Sequence, residues 1–253
     1  MTSQELKLTL RELAQHYAQK HNLQIDSSHQ TAILFCDLED NFNPDSFRHI
    51  QQNQDWLKRT RKSHQNVKNA LEMQSSNSSD ALLMNVFCHP NIGKWQGLRN
   101  LLNVSEINPV FGFKARVTKN DGKGDTSEID MVLGDLLIEA KLTEGDFTQK
   151  DASLVKEYDG LTEHFHEEFL SRQDNLVDNY QVLRNLLAAI QHSKQHVLLC
   201  DDRRPDLVRR YMDTVSCLRD AHMRKRCRVV SWQEIRKACG AGLGSFLTEK
   251  YGL

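Results

Sequence analysis

The stretch Ser127 to Lys141, SEIDMVLGDLLIEAK, decides how this sequence is read. Ile129 to Leu133 has the apolar content of a strand, Gly134-Asp135 is a tight-turn pair, and Leu136 to Leu142 continues as the next strand. Residues two apart on a strand face the same way, so Glu139 and Lys141 share one face and Ala140 takes the other. A hairpin at Gly134-Asp135 brings Asp130 near Lys141 and within reach of Glu139. Burying two carboxylates and an ammonium on strands this apolar is costly unless they pair with one another or hold a metal. Two carboxylates are hard oxygen ligands for Mg²⁺, which keeps several waters and accepts phosphate oxygens as further ligands. The ion can polarise a phosphate and acidify water, and a neighbouring lysine can position that water or balance charge developing on the phosphate. Asp, Glu and Lys in this pattern point to phosphodiester hydrolysis.

Working outward, Val110, Phe111, Phe113 and Val117 follow Pro109 as a strand, and Asn120 to Gly124 (NDGKG) is a turn, which makes an antiparallel meander of the whole stretch. Upstream the period is helical. Leu6, Leu10, Leu13 and Tyr17 mark one helix, and a second is expected over Asp45 to Met73, with Phe47, Ile50, Trp56, Leu57, Val67 and Leu71. Gln74 to Ser79 (QSSNSS) breaks it. A third helix starts near Asp80 and bends or stops at Pro90, followed by a turn or helix over Ile92 to Leu102. Downstream, Leu154, Tyr158, Leu161 and Phe165 have the spacing of one buried helix face, and Leu176, Tyr180, Leu183, Leu187 and Ile190 that of another. A buried strand is expected at His196 to Cys200, a helix after Pro205, a strand at Arg228 to Ser231 and a helix from Trp232. The expected class is α/β with a mixed sheet: a helical N-terminal region, residues 1–77, packed on one core, residues 78–253.

Composition limits the functions compatible with this class. The 253 residues carry 33 Lys+Arg against 34 Asp+Glu, a net charge of −1, so any nucleic-acid contact must come from local basic patches. The N-terminal segment MTSQELKLTLRELAQHYAQK is too interrupted by charge for a signal peptide or membrane anchor, which predicts a cytoplasmic protein with no membrane partner. The six cysteines lack a C-x-x-C pair, which favours reduced structural thiols over disulfides or zinc.

Asp130 and the triplet Glu139-Ala140-Lys141, separated by a hairpin, resemble the PD-(D/E)XK nuclease superfamily, the restriction-endonuclease-like fold. Ser78 to Phe87 (SSDALLMNVF) and Asn179 to Leu187 (NYQVLRNLL) resemble two helices of one uncharacterised bacterial branch of it. The resemblance covers roughly residues 78 to 200. It implies an αβββαβ core, Asp130 and Glu139 as metal ligands, Lys141 as the catalytic lysine, Mg²⁺ as cofactor with Mn²⁺ as a substitute, and DNA as substrate. Ile129 stands in place of the name-giving proline, and Asp80 in place of the branch's usual glutamine. A nucleic-acid-binding or assembly protein that keeps the fold without catalysis is the alternative. DNA against RNA, and a homodimer against a monomer, stay open.

Auxiliary candidates surround this triad. Glu128 shares the Asp130 face and is either a further ligand or, preferably, a solvent-side carboxylate. Gln181 and Arg184 are neighbours on a helix, either aimed at the site or part of an exposed face. Asn85 suits a backbone hydrogen bond slightly better than catalysis, and Glu72 is a remote candidate for a further carboxylate. His164 and His166, two apart on an expected helix, point away from each other and read as a polar face. Among the basic clusters, Lys58, Arg59, Arg61 and Lys62, next to Trp56, form the preferred path for a phosphate backbone.

Overall fold

The computed structural model of the chain describes residues 1–64 and 67–253. Strands β1 (Pro109–Lys114), β2 (Glu128–Leu133), β3 (Leu136–Ala140), β4 (Gln195–Cys200) and β5 (Cys227–Ser231) form one five-stranded sheet in the order β5-β4-β3-β2-β1. The first three make the expected antiparallel meander, with Met131 opposite Ile138 and Val132 opposite Leu137; β4 runs parallel to β3, and β5 parallel to β4. Every residue of β3 is buried, as expected of a central strand covered on both faces. Gly134, at φ +56, makes the turn between β2 and β3.

Helices cover both faces. On one side α1 (Ser3–His21), α4 (Ser79–Phe87), α5 (Gln96–Leu102), α8 (Trp232–Ala238) and α9 (Ala241–Tyr251) pack in one apolar layer with Leu136, Ile138 and Leu199 of the sheet. On the other, α6 (Tyr180–Gln191) and α7 (Pro205–Ser216) pack with Leu137 and Leu198. The side-chain alternation of β3 therefore feeds two separate cores. Lys250 of α9 is fully buried among the rings of Tyr17, Phe35, Phe246 and Tyr251, and its Nζ donates to the Asn41 carbonyl at 2.6 Å, which fastens the C-terminal helix to the N-terminal region.

Several expected helices are shorter than their apolar spacing implied. The expected helix over Asp45 to Met73 is instead α2 (Pro44–Gln51) and α3 (Gln54–Thr60), because Asn43 and Asn53 each cap a new helix start through a side-chain oxygen. Residues 65 and 66 of that expected helix lie outside the described residues. The spacing from Leu154 to Phe165 belongs to two short turns, Ala152–Val155 and Leu161–His164, separated by Gly160 at φ +72, and Leu154 is exposed. Leu176 lies before α6, in a small strand paired with Lys150–Asp151 and Arg172–Gln173. The helix from Trp232 stops at Ala238, and Gly240 separates it from α9; a Cβ there would lie 2.6 Å from Trp95 Nε1, so this corner requires glycine.

Candidate active site

The β2–β3 ladder ends at Met131 and Ile138. One residue further, the Asp130 side chain takes over: its Oδ2 accepts the Ala140 N–H at 2.8 Å. This places the Asp130 carboxylate at the end of β3. Glu139 is 1% exposed there, and its Oε2 accepts from Asn185 Nδ2 of α6 at 2.8 Å. Its Oε1 forms a buried ion pair with Lys141 Nζ at 2.9 Å and has no further partner among the described residues. Lys141, also buried, donates to Gln181 Oε1 at 2.7 Å. Its backbone is pinned from both sides: Lys141 N–H donates to the Leu199 carbonyl, and Trp232 Nε1 donates to the Lys141 carbonyl, each at 2.8 Å. Just beyond, Glu144 accepts from the Leu142 N–H and from Ser79 Oγ, both at 2.6 Å, which joins the start of α4 to the end of β3.

The electrostatics are those of crowded acids with few cations. Burial, then Glu139 and Asp80, push the Asp130 carboxyl well above its usual range, against the pull of Lys141 and the Ala140 N–H. Burial alone would lower the Lys141 pKa, but Glu139, Glu144 and Asp130 outweigh it, so its pKa is raised and the group stays an ammonium. A divalent cation fits this site on two observations: Glu139 Oε1 is a buried oxygen met by no group but the Lys141 ammonium among the described residues, and its neighbour Asp130 carries a second hard oxygen ligand under like-charge repulsion. Among the described residues no three His, Cys, Asp or Glu side chains converge as a ready cage. Two carboxylates with the remaining positions left to water and substrate oxygens is the set that suits Mg²⁺.

The family described as restriction endonuclease associating with ARP matches residues 11–252. The chain belongs to that family. It is accordingly a hydrolase that acts on DNA, and restriction endonucleases typically use Mg²⁺. No curated protein and no solved structure matches the chain. Among the described residues no helix of this endonuclease is long and apolar enough to cross a membrane.

The auxiliary candidates fare differently in the endonuclease. Gln181 joins the site through Lys141. Arg184 is buried, which excludes the exposed-face reading; its Nη2 donates to the Glu128 carbonyl at 3.0 Å and to Asn185 Oδ1 at 2.8 Å, so it holds β2 and orients Asn185. Asn85 is fully buried and bonds the backbone at Asn41, Asn43 and Ala81, as a structural asparagine does. The Glu128 side chain is 44% exposed and lies 3.4 Å from Arg59 Nη1, and Glu72 pairs with Lys62 at 2.9 Å. A cleft of about 1010 Å³ opens beside Glu128 between α3 and β1, lined by Trp56, Lys58, Arg59, Lys62 and Phe111 among others. Arg61 is exposed and does not line it. His166 pairs with Glu168 at 3.2 Å, in keeping with a polar surface.

Asn185, Glu144 and the pairing of Arg59 with Asp80 were not singled out in the sequence, although Asn185 stood inside the quoted helix. Its role is testable. Asn185→Leu removes the hydrogen bond to Glu139 Oε2 and is expected to weaken Mn²⁺ binding by about 10- to 100-fold, measured by titration calorimetry, the range typical of lost partners behind a metal ligand. Undiminished affinity would show that Glu139 needs no such support.

Proposed function

We propose that this endonuclease hydrolyses DNA phosphodiester bonds with Mg²⁺ held by Asp130 and Glu139 and with Lys141 at the reacting phosphate. The observation that carries the reading is a fully buried Glu139 whose Oε1 is partnered by the charged Lys141 ammonium alone, at 2.9 Å among the described residues, beside the second carboxylate of Asp130. The succession α4, β1 to β3, α6 and β4 supports an αβββαβ core at residues 78–253, with residues 1–77 added to it. When bound, the ion supplies Lewis-acid polarisation of a phosphoryl oxygen and a lowered pKa for water. The chain's own groups do the rest. Gln181 Oε1 and Glu139 fix the Lys141 ammonium, whose third N–H is left for the attacking water or a phosphoryl oxygen. The water oxygen bonds to phosphorus as the bond to the sugar oxygen breaks; one water proton is released and the leaving oxygen ends protonated, giving an alcohol and a phosphomonoester. Lys58 and Lys62 on the cleft wall, with Arg61 beside them, would carry the flanking phosphates.

Purified protein incubated with supercoiled and linear DNA tests this. Nicking or linearisation is expected with Mg²⁺ or Mn²⁺ and none with a chelator in excess. Cleavage that continues in the chelator would remove the metal from the mechanism.

A further inference from the structure

Arg59 comes from α3, outside the strand site, yet its side chain is only 11% exposed. Its Nη2 donates to both oxygens of buried Asp80, at 2.8 and 3.0 Å, in the first turn of α4. The rest of the guanidinium is poorly satisfied: Nη1 has one long contact, 3.4 Å to Glu128 Oε2, and Nε is buried without an acceptor. Spare donors of a fixed cation in a cleft wall suit an anionic ligand, since guanidinium forks match phosphate oxygens.

The opposing strand is built around this group. Phe111 pairs with Met131 and Phe113 with Ile129, so Gly112 lies across from Asp130. Gly112 has φ +64, and a Cβ there would stand 2.4 Å from Arg59 Nη1 and 3.2 Å from Glu128 Oε2. The missing side chain admits the guanidinium to the sheet edge level with Asp130. An ion pair that served stability alone would gain little here. Burying two charges costs desolvation, and the pair leaves Nε unbonded. Asp80, Glu128, Asp130 and Glu139 also repel a phosphate, so a cation at their margin has chemical work to do.

We propose that Arg59 is a further catalytic residue, donating to a non-bridging oxygen of the DNA phosphate at the active site, with Asp80 as the residue that positions it and Gly112 as the space that admits it. This rests on the reading of Asp130, Glu139 and Lys141 as the metal-dependent site. It assigns Asp80 a purpose: the acid that replaces an amide in the resembling branch clamps an arginine.

The test compares wild type, Arg59→Gln, Arg59→Lys, Gly112→Ala and Asp130→Asn in single-turnover cleavage with Mg²⁺ at saturating DNA. Binding to the same DNA is measured in Ca²⁺ over a range of salt. Arg59→Gln and Gly112→Ala are each expected to slow cleavage by about 100-fold, as loss of one oxyanion donor does. In both, the slope of log affinity against log salt should fall by about one, as for one lost phosphate contact. Arg59→Lys should keep that slope and recover part of the rate, because it retains charge without the fork. Mn²⁺ affinity should not fall in any Arg59 variant. Cleavage by Arg59→Gln within a few-fold of wild type, with Asp130→Asn inactive, would overturn the proposal and leave the metal site standing. Loss of Mn²⁺ binding or of thermal stability in step with the rate would make the Arg59–Asp80 pair structural and overturn it as well. If Arg59→Gln does not fold, Gly112→Ala decides on the same terms. An Asp130→Asn variant as active as wild type would bring down the metal site and the Arg59 proposal together.

Discussion

Replacing Asp130 by Asn is expected to reduce single-turnover cleavage by at least about 1000-fold while raising the thermal stability of the metal-free protein. The substitution is nearly isosteric, and its amide oxygen can still accept the Ala140 N–H that the Asp130 carboxylate now accepts at 2.8 Å. What it removes is charge. Asp130 shares the end of β3 with Glu139 and feels Asp80, and burial together with those acids opposes its ionised form. Deleting one of three mutually repelling carboxylates is worth about 1 kcal/mol of stability, the scale on which strained functional sites repay neutral substitution. The same charge is half of the proposed ion-binding pair, so its loss removes the Lewis acid from the reaction. The measurement is a melting curve with and without Mg²⁺ alongside the cleavage rate. Wild type should gain stability from the ion and Asp130→Asn should gain little, because only a native-state ligand raises the transition. A variant that melts earlier than wild type without metal would show that Asp130 is held for folding and not for binding.

The part of this site that lies on one hairpin was legible from the sequence because strand geometry is short-ranged. Two-residue periodicity and a Gly134-Asp135 turn suffice to place Asp130, Glu139 and Lys141 together, and the observed register, Val132 opposite Leu137, is the one that turn imposes. The sheet order was less accessible. That β4 inserts beside β3 in parallel, and so covers the second edge of the strand bearing Glu139, depends on a crossover through α6 that local pattern cannot specify. Helix lengths were misread where apolar residues kept a helical spacing across a cap: Asn53 restarts the chain by bonding the Asp55 and Trp56 N–H groups, and no count of Leu and Trp shows that. The basic run from Lys58 to Lys62 looked uniform in sequence. In the fold it is divided, with Arg59 turned inward to Asp80, Lys62 paired with Glu72, and Arg61 left in solvent. Which cation meets an acid is a tertiary fact, set here by contacts 10 and 21 residues apart, and composition carries no trace of it.

Lys141→Met is expected to lower cleavage by about 100- to 10,000-fold while metal binding survives or tightens. The methionine keeps about the volume of the lysine side chain, so the packing at the end of β3 should persist, although the Lys141 Nζ that lies 5.6 Å from the Phe147 ring centre is lost. The ammonium itself faces Glu139 Oε1 at 2.9 Å and is kept charged by Glu139, Glu144 and Asp130. In the metal-free protein it is therefore the cation that compensates the carboxylate pair, and a divalent ion must share Glu139 with it. Removing it frees Oε1 and takes away the ammonium that pairs with Glu139, which favours the ion. Cleavage responds in the opposite direction, because the group that can donate a proton or a hydrogen bond at the reacting phosphate has gone. Gln181, now without its donor, should matter less in this background, so Gln181→Ala is expected to cost activity in wild type and almost nothing added to Lys141→Met, a coupling that a double-mutant cycle measures directly. Two outcomes would count against the assignment: cleavage that persists undiminished in Lys141→Met, or Mn²⁺ binding that disappears with it. The first would move proton handling to another group. The second would make the lysine a structural support for the carboxylates, and the ordering of ion, carboxylate and ammonium at the end of β3 would have to be drawn again.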